Sequence, residues 1–311
     1  MNQKIKALFF RLNGKKEIPS ATYFVNKSIK YTFVVPFVYF KAKLKLIFNL
    51  LPELKNKQLL FIGGLHRSGT SPLYNLIRTA KGVSGIAGTT VPEQEGQFLQ
   101  SVYTPDSEYG LLFGFESSCH LTECDSRANS VSRSSLLRSW GQFWRNKATS
   151  YVEKTPSNII RSRFLQTIFP EAKFLFIVRH PIAYAFAVQK WTNADITTII
   201  QHWIHVHTIL LNDAAFIKNY LIVRYEDICD EPQRFRNQIY DNFGIELANA
   251  INFEDKNLAY FSRWGSDAML LSDCINTLSE ESLNILEKFS YSLNDTYVQS
   301  NMCFDFNRIY Q

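Results

Sequence analysis

The apolar positions change period along the chain. Leu59-Leu60-Phe61-Ile62 is an unbroken apolar run, the pattern of a strand buried on both faces of a parallel sheet. Gly63-Gly64 and a polar loop follow. Leu73, Leu76, Ile77 and Ala80 then recur at helical spacing, with Pro72 in the first turn. A second apolar strand, Phe174–Val178, follows a helical segment carrying Ile160, Phe164 and Ile168. A third, Leu221–Val223, precedes a helix opened by Asp230 and Pro232, carrying Phe235, Ile239 and Phe243, and closed by Gly244. Near the end, Ser279-Glu280-Glu281 opens a helix with Leu283, Leu286, Phe289 and Leu293. Strands alternating with helices predict an α/β fold of three layers, a central parallel sheet flanked by helices. Residues 101–150 are polar and irregular, which predicts an insertion over the sheet of a single domain spanning 58–311.

Composition narrows the class. The 311 residues are 46% apolar and 14% aromatic, too hydrophobic for disorder. No run of about 18 apolar residues occurs; Tyr31–Phe40 is short, broken by Pro36 and flanked by Lys30 and Lys41. The net charge of +6 is unevenly spread. Residues 1–57 hold 12 Lys/Arg against Glu17 and Glu53, a net of +10, and leave 22 basic and 26 acidic residues on the body. A basic extension on a mildly acidic body is expected to lie along that body or to make peripheral contact with an acidic surface such as anionic lipid, a glycan or a partner protein. Nucleic acid is not expected as a partner, because the body lacks basic residues interleaved with aromatics. Five cysteines (119, 124, 229, 274, 303), odd in number and without a C-x-x-C, read as reduced thiols; with no signal segment evident, the expected compartment is the cytoplasm.

The chemistry concentrates at Gly64-Leu65-His66-Arg67-Ser68-Gly69-Thr70-Ser71, between strand and helix. Small residues let backbone N–H groups converge on an anion, a helix N-terminus adds positive potential, and hydroxyls close the shell. Compared with the nucleotide-triphosphatase loop G-x-x-x-x-G-K-[ST], both glycines and the final hydroxyl are present, but Thr70 stands in the lysine position and the cation has moved to Arg67. No apolar strand ending in an Asp offers a site for Mg²⁺ beside it. Tyr151-Val152-Glu153-Lys154-Thr155-Pro156 reads as a short strand ending in an exposed lysine. Phe174–Val178 runs into Arg179-His180-Pro181, with the arginine at the carboxyl end of a parallel strand, where open α/β sheets bind nucleotides.

Taken in order, these three segments resemble the sulfotransferases that use 3′-phosphoadenosine 5′-phosphosulfate (PAPS) as donor, in particular the carbohydrate and tyrosylprotein branch. The resemblance runs from Leu59 to about Ile245. It implies that His66, Arg67, Ser68, Gly69, Thr70 and Ser71 bind the 5′-phosphosulfate, that Lys154 contacts the transferring group, and that Arg179 holds the 3′-phosphate. Arg263, before Trp264, matches loosely as part of a nucleotide-closing loop. The family's serine eight residues beyond the arginine is Ala187 here, which leaves a backbone amide, Gln189 or Lys190 to supply that contact. Val223–Asp227 resembles a recurrent strand-end segment of structural character. The family's glutamate base falls in Val91–Gln97, where Glu95 is the first candidate and Glu93 the second; His66 is an alternative base.

The implied activity is transfer of a sulfuryl group from PAPS to the hydroxyl of a glycan, glycolipid or small metabolite, releasing 3′-phosphoadenosine 5′-phosphate (PAP), without a metal. Arg127, Arg133, Arg138 and Arg145 fit either a basic wall for an acidic acceptor or a solvated helical lid. Two other readings stand beside it: a P-loop kinase or ATPase working with Mg²⁺, and a non-catalytic PAP-binding module. His202, His205 and His207 suggest a metal at first sight, but 202 and 205 share a helix face while 207 points away.

Overall fold

The structure, a computed structural model, describes residues 32, 34–248, 253–266 and 268–296. Residues 1–31 of the basic extension, and Cys303, lie outside the described residues. The apolar runs form β1 (Gln58–Gly63), β4 (Lys173–Val178) and β5 (Tyr220–Arg224), joined by β2 (Val83–Gly85) and β3 (Ser150–Lys154). The order is β2-β3-β1-β4-β5 and every pairing is parallel. Side chains alternate across the sheet. Leu59 and Phe61 pack with Phe174, Phe176, Trp140 and Trp203 on one face, while Leu60 and Ile62 pack with Leu73, Ile77, Leu175 and Ile177 on the other. Each of these four β1 side chains is buried, a gain of about 1.5–3 kcal/mol apiece.

The helices are α1 (Val35–Ile47), α2 (Thr70–Arg78), α3 (Ser130–Gly141), α4 (Ser162–Ile168), α5 (Pro181–Gln189), α6 (Ile196–Ala214), α7 (Tyr225–Asp230), α8 (Pro232–Phe243), α9 (Leu258–Gly265), α10 (Ala268–Asn276) and α11 (Glu280–Lys288). Several boundaries differ from the sequence pattern. Ile160 closes a 3₁₀ turn before α4, because the chain must first turn at Pro156. Asp230 ends α7, and α8 starts afresh at Pro232, whose missing N–H is harmless in a first turn. Residues 101–150 hold α3 as well as 3₁₀ turns, and they send Phe113, Trp140 and Trp144 into the core. Of their arginines, Arg127 pairs with Asp125, Arg133 donates to the Ile168 carbonyl and Arg145 to that of Val83, while Arg138 is exposed. No helix among the described residues is long and apolar enough to cross a membrane. Among the described residues, Cys119, Cys124, Cys229 and Cys274 form no disulfide.

The α6 histidines are pinned to the backbone. His202 Nε2 donates to the Phe113 carbonyl (2.6 Å) and its Nδ1 accepts from Tyr184 Oη (2.8 Å). His205 Nε2 donates to Gly114 (2.9 Å), and His207 Nδ1 to Trp203 (2.7 Å). Burial lowers the pKa of His202 to about 4 and that of His207 to about 3.

One other contact ties the sheet to its loops. Gly64, at φ +154°, donates its N–H to the Pro156 carbonyl (3.0 Å), and a Cβ there would lie 2.5 Å from the Ile177 carbonyl oxygen. Gly64→Ala should therefore lower the unfolding free energy by at least about 2 kcal/mol, since strain and a backbone clash coincide; wild-type denaturant stability would contradict this. His207 gives a pH prediction. Its folded pKa lies below the ordinary ~6.5, so as pH falls below 6.5 the unfolded chain takes up a proton that the folded chain refuses. This residue alone then costs about 1.4 kcal/mol of stability per pH unit down to about pH 4. His207→Phe should show a correspondingly flatter loss between pH 6.5 and 5 in urea titrations, and parallel curves for the two proteins would refute it.

Candidate active site

The sheet order reverses beside β1. The chain runs from β1 outward to β2, returns through β3, and crosses β1 to reach β4. The carboxyl ends of β1 and β4 therefore open a crevice at a topological switch point, the usual ligand position in open α/β sheets. Register brings Lys154 beside Ile62, the residue before Gly63. The loop after β1, the lysine ending β3 and the arginine after β4 thus meet at one edge.

The loop is shaped to leave donors free. Gly69 is the N-cap of α2 at φ +98°, where a Cβ would approach Tyr225 to 2.8 Å. Arg67 also has a positive φ (66°), uncommon for a residue with a side chain. No side chain caps α2, so its first N–H groups have neither an intrahelical nor a capping partner. Ser68 is fully buried, and its Oγ has no hydrogen-bond partner. Thr70 is buried and Ser71 half-buried, while the exposed Arg67 guanidinium lies 5.7 Å from the centre of the Trp191 ring.

Lys154 is not the solvated strand end its sequence position suggests; it is fully buried. It shares a sheet face with Val152, toward α2, because strand side chains alternate. Its Nζ donates to Glu95 Oε1 (2.8 Å) and Ser71 Oγ (3.2 Å). Glu95 is itself buried, and Gln97 Nε2 bridges its Oε2 (2.8 Å) to Asp106 Oδ1 (2.7 Å). Burial raises the Glu95 pKa, as does nearby Asp106, while Lys154 and His66 oppose the rise. His66 Nε2 stands 3.8 Å from Asp106 Oδ2. Glu93 is exposed, two residues away, so the structure brings Glu95 and not Glu93 to the lysine. On the other sheet face, Glu153 accepts from Gly96 N, Thr155 Oγ1 and Asn158 Nδ2, and so anchors the loop carrying Glu95.

Arg179 is 6% exposed. Its Nη1 donates to the Arg67 carbonyl (2.7 Å) and its Nε to Asn257 Oδ1 (2.8 Å), while Nη2 is buried without a partner. Asn257 is held in turn by Glu226 (2.6 Å), which also accepts from the His180 amide and Tyr291 Oη. The ring of Tyr225 lies 4.6 Å from the guanidinium. Arg263 sits in α9 rather than in a loop. It is exposed, 4.5 Å from the centre of the Phe186 ring, and Phe186 stacks on Tyr260. Lys190 Nζ donates to Tyr260 Oη (3.0 Å), and the Arg179 guanidinium also faces that ring at 5.7 Å. Ala187 is buried. Sequence reasoning missed Asn257, 78 residues from Arg179, and the bridging roles of Gln97 and Asp106; no local pattern marks any of them.

Comparison with known proteins adds the family. A model described as the sulfotransferase family matches residues 60–249. No curated protein sequence matches. Solved structures similar to this chain include the sulfotransferase domain of the olefin synthase of Synechococcus PCC 7002, with 17% identity, 78% of this chain and 96% of that one covered, and a TM-score of 0.47. The sulfotransferase STF9 of Mycobacterium avium is similar at 14% identity, over 93% of this chain and 95% of that one, with a TM-score of 0.46. Since the matched residues take in the loop after β1 and the ends of β3 and β4, and span more than half of the sequence, the chain belongs to the sulfotransferase family, enzymes that transfer a sulfuryl group.

Proposed function

We propose that the protein transfers a sulfuryl group from PAPS to the hydroxyl of a glycan, glycolipid or small metabolite and releases PAP. One observation carries the reading: a buried lysine–glutamate pair, Lys154 and Glu95, beside an anion-binding loop with unpaired donors on both sides. Ser68 Oγ and Arg179 Nη2 are buried polar atoms lacking partners, and such atoms are costly unless something fills them. A donor with phosphates at both ends answers both unpaired atoms, whereas ATP–Mg²⁺ would meet a loop without its lysine.

Bound PAPS supplies a sulfuryl group on a phosphate leaving group, the S–O bond to phosphate breaking as the bond to the acceptor oxygen forms. In this reading the amides of residues 67–71, with the Ser68, Thr70 and Ser71 hydroxyls, hold the 5′-phosphate at the positive end of α2. Lys154 and Arg67 neutralise charge building on the leaving oxygen and the transferring group. Glu95 takes the acceptor proton. Arg179, oriented by Asn257, offers Nη2 to the 3′-phosphate, and Lys190 and Arg263 add positive potential where the family's serine would stand. Until substrates arrive, Lys154 and Glu95 hold each other at 2.8 Å in a buried setting.

Lys154→Ala and Glu95→Gln should each lower turnover by about 10²–10⁴, measured below the melting transition of each variant, since breaking the pair also costs stability; full turnover in Lys154→Ala would sink the mechanism. Because the Glu95 pKa is raised and the base must be ionised, turnover should fall as pH drops through that raised value. The acid limb then lies above the ordinary carboxylate range. Glu95→Gln should abolish that limb in its residual activity, and a limb unmoved in the variant would assign the base elsewhere. Calorimetric titration tests the donor: PAP should bind, ATP–Mg²⁺ weakly, and Arg179→Ala should cost PAP about 10–150-fold, the worth of a charged hydrogen bond. Preference for ATP–Mg²⁺ would favour phosphoryl transfer. PAP binding with no sulfuryl transfer, indifferent to Lys154, would favour a binding module.

A further inference from the structure

The outward face of α1 combines apolar and basic side chains in a way the active site does not require. Its inward face is occupied: Val35 and Ala42 are buried, Tyr39 Oη bonds Thr90 Oγ1 (3.1 Å) and its ring meets Phe143, and Lys45 reaches the Trp144 carbonyl. On the opposite side, Phe37 (55%), Phe40 (59%) and Ile47 (63%) are exposed, continued by Phe48 and Leu50. With Val34, these are six of the 13 exposed large apolar side chains among the described residues, gathered within 17 positions. At about 100° per residue, Phe37, Phe40, Leu44, Ile47 and Phe48 fall on one stripe, with Lys43 at one edge and Lys41 at the other. Lys41 Nζ arches over the Phe37 ring at 4.4 Å.

Charge selects the occupant. Between Glu17 and Glu53 the sequence has five lysines and no acid. A second copy of this face would bring like charges together, and residues 1–31 carry the same sign. An apolar stripe edged by lysines suits a surface that is apolar within and anionic at its rim. We propose that α1, with residues 48–50, docks the protein on an anionic lipid bilayer, the Phe37, Phe40, Ile47 and Phe48 side chains entering the headgroup boundary and Lys41 and Lys43 meeting lipid phosphates. The proposal stands independently of the donor site. It assigns to one helix the contact with an acidic surface that the charge of residues 1–57 suggests.

Sedimentation of the full chain with vesicles of phosphatidylcholine, alone or with 30% phosphatidylglycerol, tests it. Binding should require the anionic lipid and weaken with salt. Phe37→Ser/Phe40→Ser/Phe48→Ser should reduce it at least about tenfold, since binding scales with buried apolar area. Lys41→Gln and Lys43→Gln should each cost about fivefold, the worth of one cation near such a surface. These positions are exposed, so thermal melting should match the wild type. Absence of vesicle binding, or equal binding by the triple variant, would overturn the proposal. So would light scattering that finds a dimer of the wild-type chain turned to monomer by the triple substitution, because the face would then join two copies.

Discussion

A parallel sheet whose central strand is buried on both faces can accept a ligand only at its edge, and here that constraint organises everything else. β1 lies between β3 and β4, with hydrophobic layers on either side, so neither face is open. The carboxyl ends of the three strands are what remains. Parallel pairing fixes their relative height: Ile62 stands beside Lys154 and Gly63 beside Phe176. Residues far apart in sequence thereby meet without any loop having to reach across the molecule. Gly63 and Gly64 complete the arrangement, since the backbone of the 3₁₀ turn after β3 comes too close to Gly63, and the carbonyl of Ile177 too close to Gly64, for a side chain.

The same burial sets the electrostatics. A lysine with no exposed surface needs a counter-charge, and Glu95, 59 residues earlier in the chain, supplies it at 2.8 Å. Breaking one partner of such a pair typically costs about 3–5 kcal/mol, because the other charge is then stranded. Glu95 is in turn tied to Asp106 through Gln97, and the loop that carries it is tied to Glu153 through the Gly96 amide. On the other side of the loop, Glu226 holds Asn257, and Asn257 holds Arg179. Two buried carboxylates, one on each side, thus fix the directions of the groups facing the crevice.

How much of this was legible in the sequence follows from the range of each interaction. β1 and β4 were plain, because burial on both faces leaves an unbroken apolar run. β2 is only Val83-Ser84-Gly85, too short to carry a period. The loop after β1 announced itself through local chemistry, glycines and hydroxyls between strand and helix. The burial of Lys154 did not, because its partner lies 59 residues earlier and strand-end lysines are ordinarily solvated. The choice between Glu93 and Glu95 needed the turn at Glu93 and Gln94, both with positive φ, which leaves Glu93 outside and turns Glu95 inward. Asn257 was invisible for the same reason as Glu95, its meaning residing wholly in a distant arginine.

The central claim is that the ends of β1, β3 and β4 form one donor site. A crystal structure of the protein with PAP bound tests it most directly. The 5′-phosphate should lie on the amides of residues 67–71 within reach of Ser68 Oγ, and the 3′-phosphate on Arg179 Nη2 with the Asn257 contact kept. A nucleotide bound elsewhere, or one that leaves Ser68 and Arg179 unpaired, would contradict it.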